Sequence, residues 1–186
     1  MSRKQDLRVI KTERAIYTAL VELLKKKELE KITVSELSEK AEINKATFYL
    51  HYSDIFSLYQ DALARHIKEI ICELGLLEKF STDPEEFSRC LINDFFNPES
   101  LANDPFFKNT NQIYNRTLSY HICNAFTEQV ISSQLLPDTR ENVFKMEFFF
   151  TGIAFLRQTH TDEDNELIIQ ILASTIRDLF GLGTQM

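Results

Sequence analysis

The sequence predicts an all-α fold, a three-helix head with a helix-turn-helix followed by a helical-bundle body that dimerises. Apolar residues recur at three- and four-residue spacing along most of the chain, which puts them on single helix faces. Helix breakers are scarce, with four Gly and four Pro in 186 residues. Capping residues also stand directly ahead of several apolar runs. Phe148-Phe149-Phe150 taken alone would suit a buried strand, but its neighbours keep helical spacing. Domain sizes centre near 100 to 150 residues, so a head over residues 1–53 and a body over 54–186 are expected.

Ile16, Ala19, Leu20, Leu23 and Leu24 mark the buried face of a first helix from Lys11 to Lys26. Lys25, Lys26 and Lys27 read as its solvated end, where cations suit the helix dipole. Thr33 offers an N-cap hydroxyl and Glu36 stands three positions on, a capping box opening a two-turn second helix buried through Val34, Leu37 and Ala41. Glu42 and Ile43 make a tight connection, and Asn44 caps a third helix anchored by Phe48 and Tyr52. Asp54 caps a long fourth helix whose apolar spacing runs from Ile55 through Ile71. Beyond Gly75, helices are expected near 84–96, 110–135, 139–158 and 163–181. They are separated by Asp83-Pro84, Asn97-Pro98, Asp104-Pro105 and Pro137-Asp138.

Several function classes lack a foothold. No run approaches the roughly 18 uncharged apolar residues needed to cross a bilayer, and no apolar h-region follows Met1-Ser2-Arg3-Lys4, so a cytoplasmic protein is expected. Cys72, Cys90 and Cys123 are far apart, lack CxxC spacing and read as buried thiols. His66, His121 and His160 are scattered, and His121 with Cys123 is an i, i+2 pair that does not share a helix face, so no metal is expected. GxSxG, P-loop, GxGxxG and HExxH spacings do not occur; neither an enzyme nor a cofactor is anticipated.

The net charge of −7 looks unsuited to a polyanionic partner, but its distribution does not. Residues 1–60 carry eleven Lys or Arg against nine Asp or Glu, while residues 61–186 carry ten against nineteen. Acidic surface on the body is screened beyond about 8–10 Å at cellular salt, so a local basic patch on the head can still dock.

Reading a duplex with a helix needs a short helix packed on a supporting one, a turn of fixed geometry, and an outer face of small or polar residues. Residues 33–52 supply all three. With Phe48 and Tyr52 facing inward, the helical period turns Lys45, Ala46, Tyr49 and Leu50 outward, with Thr47 at the edge. Lys45 can donate to guanine O6 or N7, and Ala46 and Leu50 can touch a thymine methyl. Asn44, Thr47, Tyr49 and His51 can donate to phosphates, and Thr33, with the N–H groups that open each helix, can do the same.

The run Ile32-Thr33-Val34, Leu37, Ala41 and Ile43, then Thr47-Phe48-Tyr49-Leu50-His51-Tyr52 and Leu58, resembles the DNA-binding head of the tetracycline-repressor (TetR) family of bacterial regulators over roughly residues 10–60. The resemblance implies a homodimer, two reading helices one DNA turn apart, a palindromic operator in double-stranded DNA, and repression relieved by a small-molecule effector that moves helix four. Two positions depart from the family pattern. Glu42 stands where Gly is common, and a left-handed backbone there would cost about 1–2 kcal/mol. Ile55 replaces a frequent phosphate-binding Lys at the start of helix four, a loss that Arg3, Lys4 or Arg8 can offset by reaching the minor groove.

In the body, Phe144, Met146, Phe148, Phe149, Phe150, Ile153, Phe155 and Leu156 surround most of one helix, and Leu167, Ile168, Ile171, Leu172, Thr175, Ile176 and Leu179 line the next. Covering both helices on several sides suggests a homodimer through the last two helices, with Gly152 permitting a close approach. Phe87, Phe95, Phe96, Tyr114, Tyr120 and Phe126 could line a ligand pocket, but aromatic residues at this spacing more often form plain core, so no ligand-site residues are assigned. The alternative to a regulator is a helical interaction protein that keeps the fold without specific DNA binding.

Overall fold

The computed structural model describes residues 3–96, 102–107 and 112–182, with side chains described for 7–96, 102–107 and 119–182. Among them every regular element is helical. The chain runs through α1 (Arg3–Leu24), a 3₁₀ turn (Leu29–Lys31), α2 (Val34–Lys40), α3 (Lys45–His51), α4 (Ile55–Glu73), α5 (Leu76–Thr82) and α6 (Pro84–Cys90). A π-helical turn (Leu91–Phe95) continues α6, and α7 (Gln112–Ser132), α8 (Arg140–Thr159), a second 3₁₀ turn (Asp162–Asp164) and α9 (Asn165–Phe180) complete the order. No helix among the described residues is long and apolar enough to cross a membrane.

The chain forms two compact units, and α4 gives its first turns to one and its last turns to the other. The first runs through Arg65 and takes in residues 104–107; the second begins at His66. In the first unit the predicted face of α1 is buried as expected, with Ile16, Leu20 and Leu24 at 0% exposure. Leu37 of α2, Phe48 of α3 and Leu58, Tyr59, Ala62 and Leu63 of α4 are buried in the same unit. Phe106 completes this core from far along the sequence: it stacks on Tyr17 with centroids 6.1 Å apart, and the Tyr59 hydroxyl donates to its carbonyl at 2.7 Å. The second unit is filled by phenyl rings. Phe80 lies 5.2 Å from Phe87, 5.3 Å from Phe126 and 5.3 Å from Phe180, edge to face, the arrangement ring quadrupoles favour. Arg89 of α6 donates to Glu166 of α9 at 2.5 Å and ties those helices at their surface.

Four sequence expectations are corrected. The Lys25–Lys27 run lies beyond α1, which ends at Leu24, and Lys27 turns back to pair with Glu36 at 2.5 Å instead of standing in solvent. Cys72 is exposed, because it falls on the outer side of α4; Cys90 and Cys123 are buried as predicted. Leu76–Thr82, left without a helix by the sequence, forms α5, entered through Gly75 in the left-handed region at φ 62°. The single helix expected over 84–96 changes winding at Leu91, with the Phe96 N–H reaching back to the Leu91 carbonyl at 2.9 Å.

Candidate nucleic-acid interface

Three caps set the geometry of the helix-turn-helix. Thr33 Oγ1 accepts from the Glu36 backbone N–H at 3.3 Å and starts α2. Glu36 does not close the expected box, because its carboxylate is held by the Lys27 ammonium, and a charge-assisted pair outcompetes a neutral backbone donor. Asn44 Oδ1 accepts from the Thr47 N–H at 2.9 Å and starts α3, and Asp54 Oδ1 accepts from the Ser57 N–H at 2.7 Å and starts α4. That backbone donor holds the Asp54 carboxyl below its usual range.

Between α2 and α3 the chain makes a Schellman turn. The Glu42 N–H donates to the Glu39 carbonyl at 3.1 Å and the Ile43 N–H to the Ser38 carbonyl at 3.0 Å, a pair of bonds that requires the first donor residue to be left-handed. Glu42 meets the requirement at φ 56°, the conformation anticipated where glycine would be at ease.

The turn fixes how α3 faces solvent. Phe48 is fully buried, and that anchor leaves Lys45 and Ala46 exposed, Tyr49 57% exposed and Leu50 84% exposed on the opposite side. The aromatic edge of the helix is organised around Phe48, whose ring lies 5.4 Å from Tyr49 and 6.0 Å from Tyr52. Among the remaining predicted site residues, Thr47 and His51 are less open. The Thr47 hydroxyl donates to Asn44 Oδ1 at 3.1 Å, so it would have to rotate away before donating to a phosphate. Asn44 uses its carbonyl oxygen as the cap and keeps its amide at an exposed position. His51 turns Nδ1 toward Glu13 of α1 at 3.5 Å, with its side chain only 15% exposed. Thr33 is exposed at the start of α2, and Ile55 is half-buried at the start of α4.

A supporting network was not legible in the sequence. Tyr52 Oη donates to Asp61 Oδ2 at 3.0 Å, Arg65 donates to the same oxygen at 3.3 Å, and the Arg65 guanidinium lies 5.3 Å from the centroid of the Tyr17 ring. It joins the end of α3 to α4 and α1. Burial, together with the Asp61 carboxylate, pushes the Tyr52 phenol well above its ordinary range, so it stays protonated and donating. No short-range pattern flags partners nine residues apart on different helices. Lys11, Arg14 and Lys40 line a groove of the head with Glu22 and Glu42, and Lys40 is paired with Glu22.

No protein-family model matches the chain. Over 84 residues it is 36% identical to YxbF of Bacillus subtilis strain 168, an uncharacterized HTH-type transcriptional regulator. The match covers 45% of this chain and 21% of that protein, so the aligned stretch spans about a fifth of its relative. Among solved structures, the TetR-family repressor AlkX from Dietzia sp. strain DQ12-45-1b superposes with a TM-score of 0.65 at 12% identity, over 94% of this chain and 99% of that one. The chain has the TetR-repressor fold.

Proposed function

We propose that this protein is a sequence-specific DNA-binding transcriptional regulator of the TetR type, acting as a homodimer on a palindromic operator, with α3 as the reading helix. The observation that carries this is the outer face of α3: a two-turn helix pinned by a buried phenylalanine and presenting Lys45, Ala46, Tyr49 and Leu50 to solvent. Lys45 supplies a donor for guanine in the major groove, Ala46 and Leu50 supply methyl contacts for thymine, and Tyr49 supplies a phenol for phosphate or base. An apolar side chain as exposed as Leu50 has little to gain on a bare surface and much to gain beside a thymine methyl. Asn44 and Thr33 flank the reading helix as phosphate donors. His51 directs Nδ1 to Glu13, so Nε2 is the nitrogen that would join them.

The body supports the homodimer. Phe144, Phe148 and Phe155 form an exposed stripe on α8, and Leu167 and Ile171 form another on α9, while Met146, Phe149, Phe150 and Ile153 fill the core. A second copy would cover both stripes as a four-helix interface. Regulation follows the TetR pattern: an effector bound in the body shifts α4 and with it the spacing of the two reading helices, releasing repression.

The test titrates a duplex selected from a random pool with wild-type protein, Lys45→Ala and Tyr49→Ala. Each substitution should weaken binding by about 1–3 kcal/mol, and Lys45→Ala should also relax base preference at one position of each half-site. If no duplex is enriched, or neither substitution changes affinity, the protein instead belongs with helical interaction proteins that keep the fold without reading DNA.

A further inference from the structure

Of the aromatic residues that could wall an internal pocket, Tyr120 lines a cavity, while Phe87, Phe95 and Phe126 are buried in the core. Phe87 and Phe126 are fully packed at ring distances near 5.4 Å, and Phe95 is buried. Phe96 lies outside the lining of the body's cavity, and Tyr114 is outside the residues whose side chains are described. Among the described residues a cavity of about 480 Å³ opens between α7 and α8, lined by Tyr120, Phe150, Ala154, Phe155, Thr151 and Glu147 among others. That volume sits within the range of small-molecule sites, roughly 300–1,000 Å³.

Its chemistry is selective. Three aromatic rings and a methyl group offer apolar walls, while Glu147 is the one charged side chain in the lining and has no ion-pair partner among the described residues. A carboxylate beside aromatic rings repels anions and attracts cations twice, by its own charge and by the negative ring faces. A phenyl group from a second copy could fill the space but would leave Glu147 without a counter-charge. We propose that the α7–α8 cavity is a binding site for a small aromatic monocation, its apolar body against Tyr120, Phe150 and Phe155 and its charge beside Glu147.

Phe155 belongs both to this cavity and to the exposed stripe on α8, so an occupant would touch the surface where a second copy is proposed to dock. Only the role of the site as an effector switch rests on the DNA-binding proposal. Binding itself is measured with no DNA present, so the two can fail separately.

Calorimetric titrations of the full chain with (1-naphthylmethyl)trimethylammonium, 1-naphthylacetate and 1-naphthalenemethanol test the proposal. The cation should bind once per chain and at least about tenfold tighter than the acid or the alcohol, the factor that a cation–π contact and one carboxylate together supply. Glu147→Gln, an exposed and nearly isosteric change, should remove about tenfold of that affinity, and Ala154→Trp should block the cavity. Equal binding of the three compounds, an unchanged affinity in Glu147→Gln, or no binding of the cation to folded protein would each overturn it.

Discussion

Replacing Glu42 with glycine should make the protein more stable, although the change deletes a side chain and loosens the chain. Glu42 sits at φ 56°, where an L-residue with a Cβ pays about 1–2 kcal/mol and glycine pays almost nothing. Glycine's extra freedom in the unfolded chain takes back about 0.4–1 kcal/mol. The exposed side chain has no ion pair to lose among the described residues. The mid-range net gain is therefore about 0.8 kcal/mol, or roughly 2–3 °C in Tm for a chain of this size. Urea unfolding at fixed protein concentration should show a higher midpoint with an unchanged slope. Glu42→Ala is the control, since alanine keeps the Cβ and the strain, and it should match wild type within about 0.5 kcal/mol. If Glu42→Gly is no more stable than wild type, or alanine stabilises as much as glycine, strain at this turn is not what sets its energy.

Other perturbations separate the parts of the account. Asn44→Ala removes the acceptor that starts α3 and should cost about 1 kcal/mol in urea unfolding, with a further loss of DNA affinity. Phe48→Ala empties the anchor of the head and should cost about 3–5 kcal/mol, read as a lower melting midpoint and loss of DNA binding. Asp54 is held below its ordinary value of 3.8, so its contribution is complete above that pH and is lost as pH falls through the depressed folded value. Asp54→Ala should therefore be less stable than wild type at neutral pH, with the difference closing in strong acid, measured by urea midpoints across pH. Phe148→Glu places a charge in the exposed stripe of α8 and should convert a two-chain species to a one-chain species in sedimentation velocity without unfolding it.

The head was legible wherever local chemistry decides structure. Thr33, Asn44 and Asp54 each precede an apolar run by the spacing a cap requires, and all three cap as read. The outward set of Lys45, Ala46, Tyr49 and Leu50 follows from helical period once Phe48 is inside. Long-range partners carry no local signal. Nothing in the sequence places Lys27 beside Glu36, and period alone does not show that Glu13 of α1 reaches the ring of His51, which reads as a phosphate donor. Gln134 repeats the Glu42 turn at φ 61°, with the Leu135 N–H donating to the Val130 carbonyl at 3.1 Å, and a glutamine there carries no signal. In the body, apolar spacing located α8 and α9, but only coordinates separate Phe149 and Phe150, which are buried, from Phe148, which is exposed.

Chemical footprinting of a selected duplex, with methylation protection at guanine N7, tests most directly whether α3 enters the major groove. Two protected major-groove segments should appear on one face of the duplex, about 10–10.5 base pairs apart centre to centre, and at saturating protein Lys45→Ala should lose the guanine protection in both. Protection spread evenly along the duplex, confined to the minor groove, or untouched by Lys45→Ala would contradict the assignment of α3 as the reading helix.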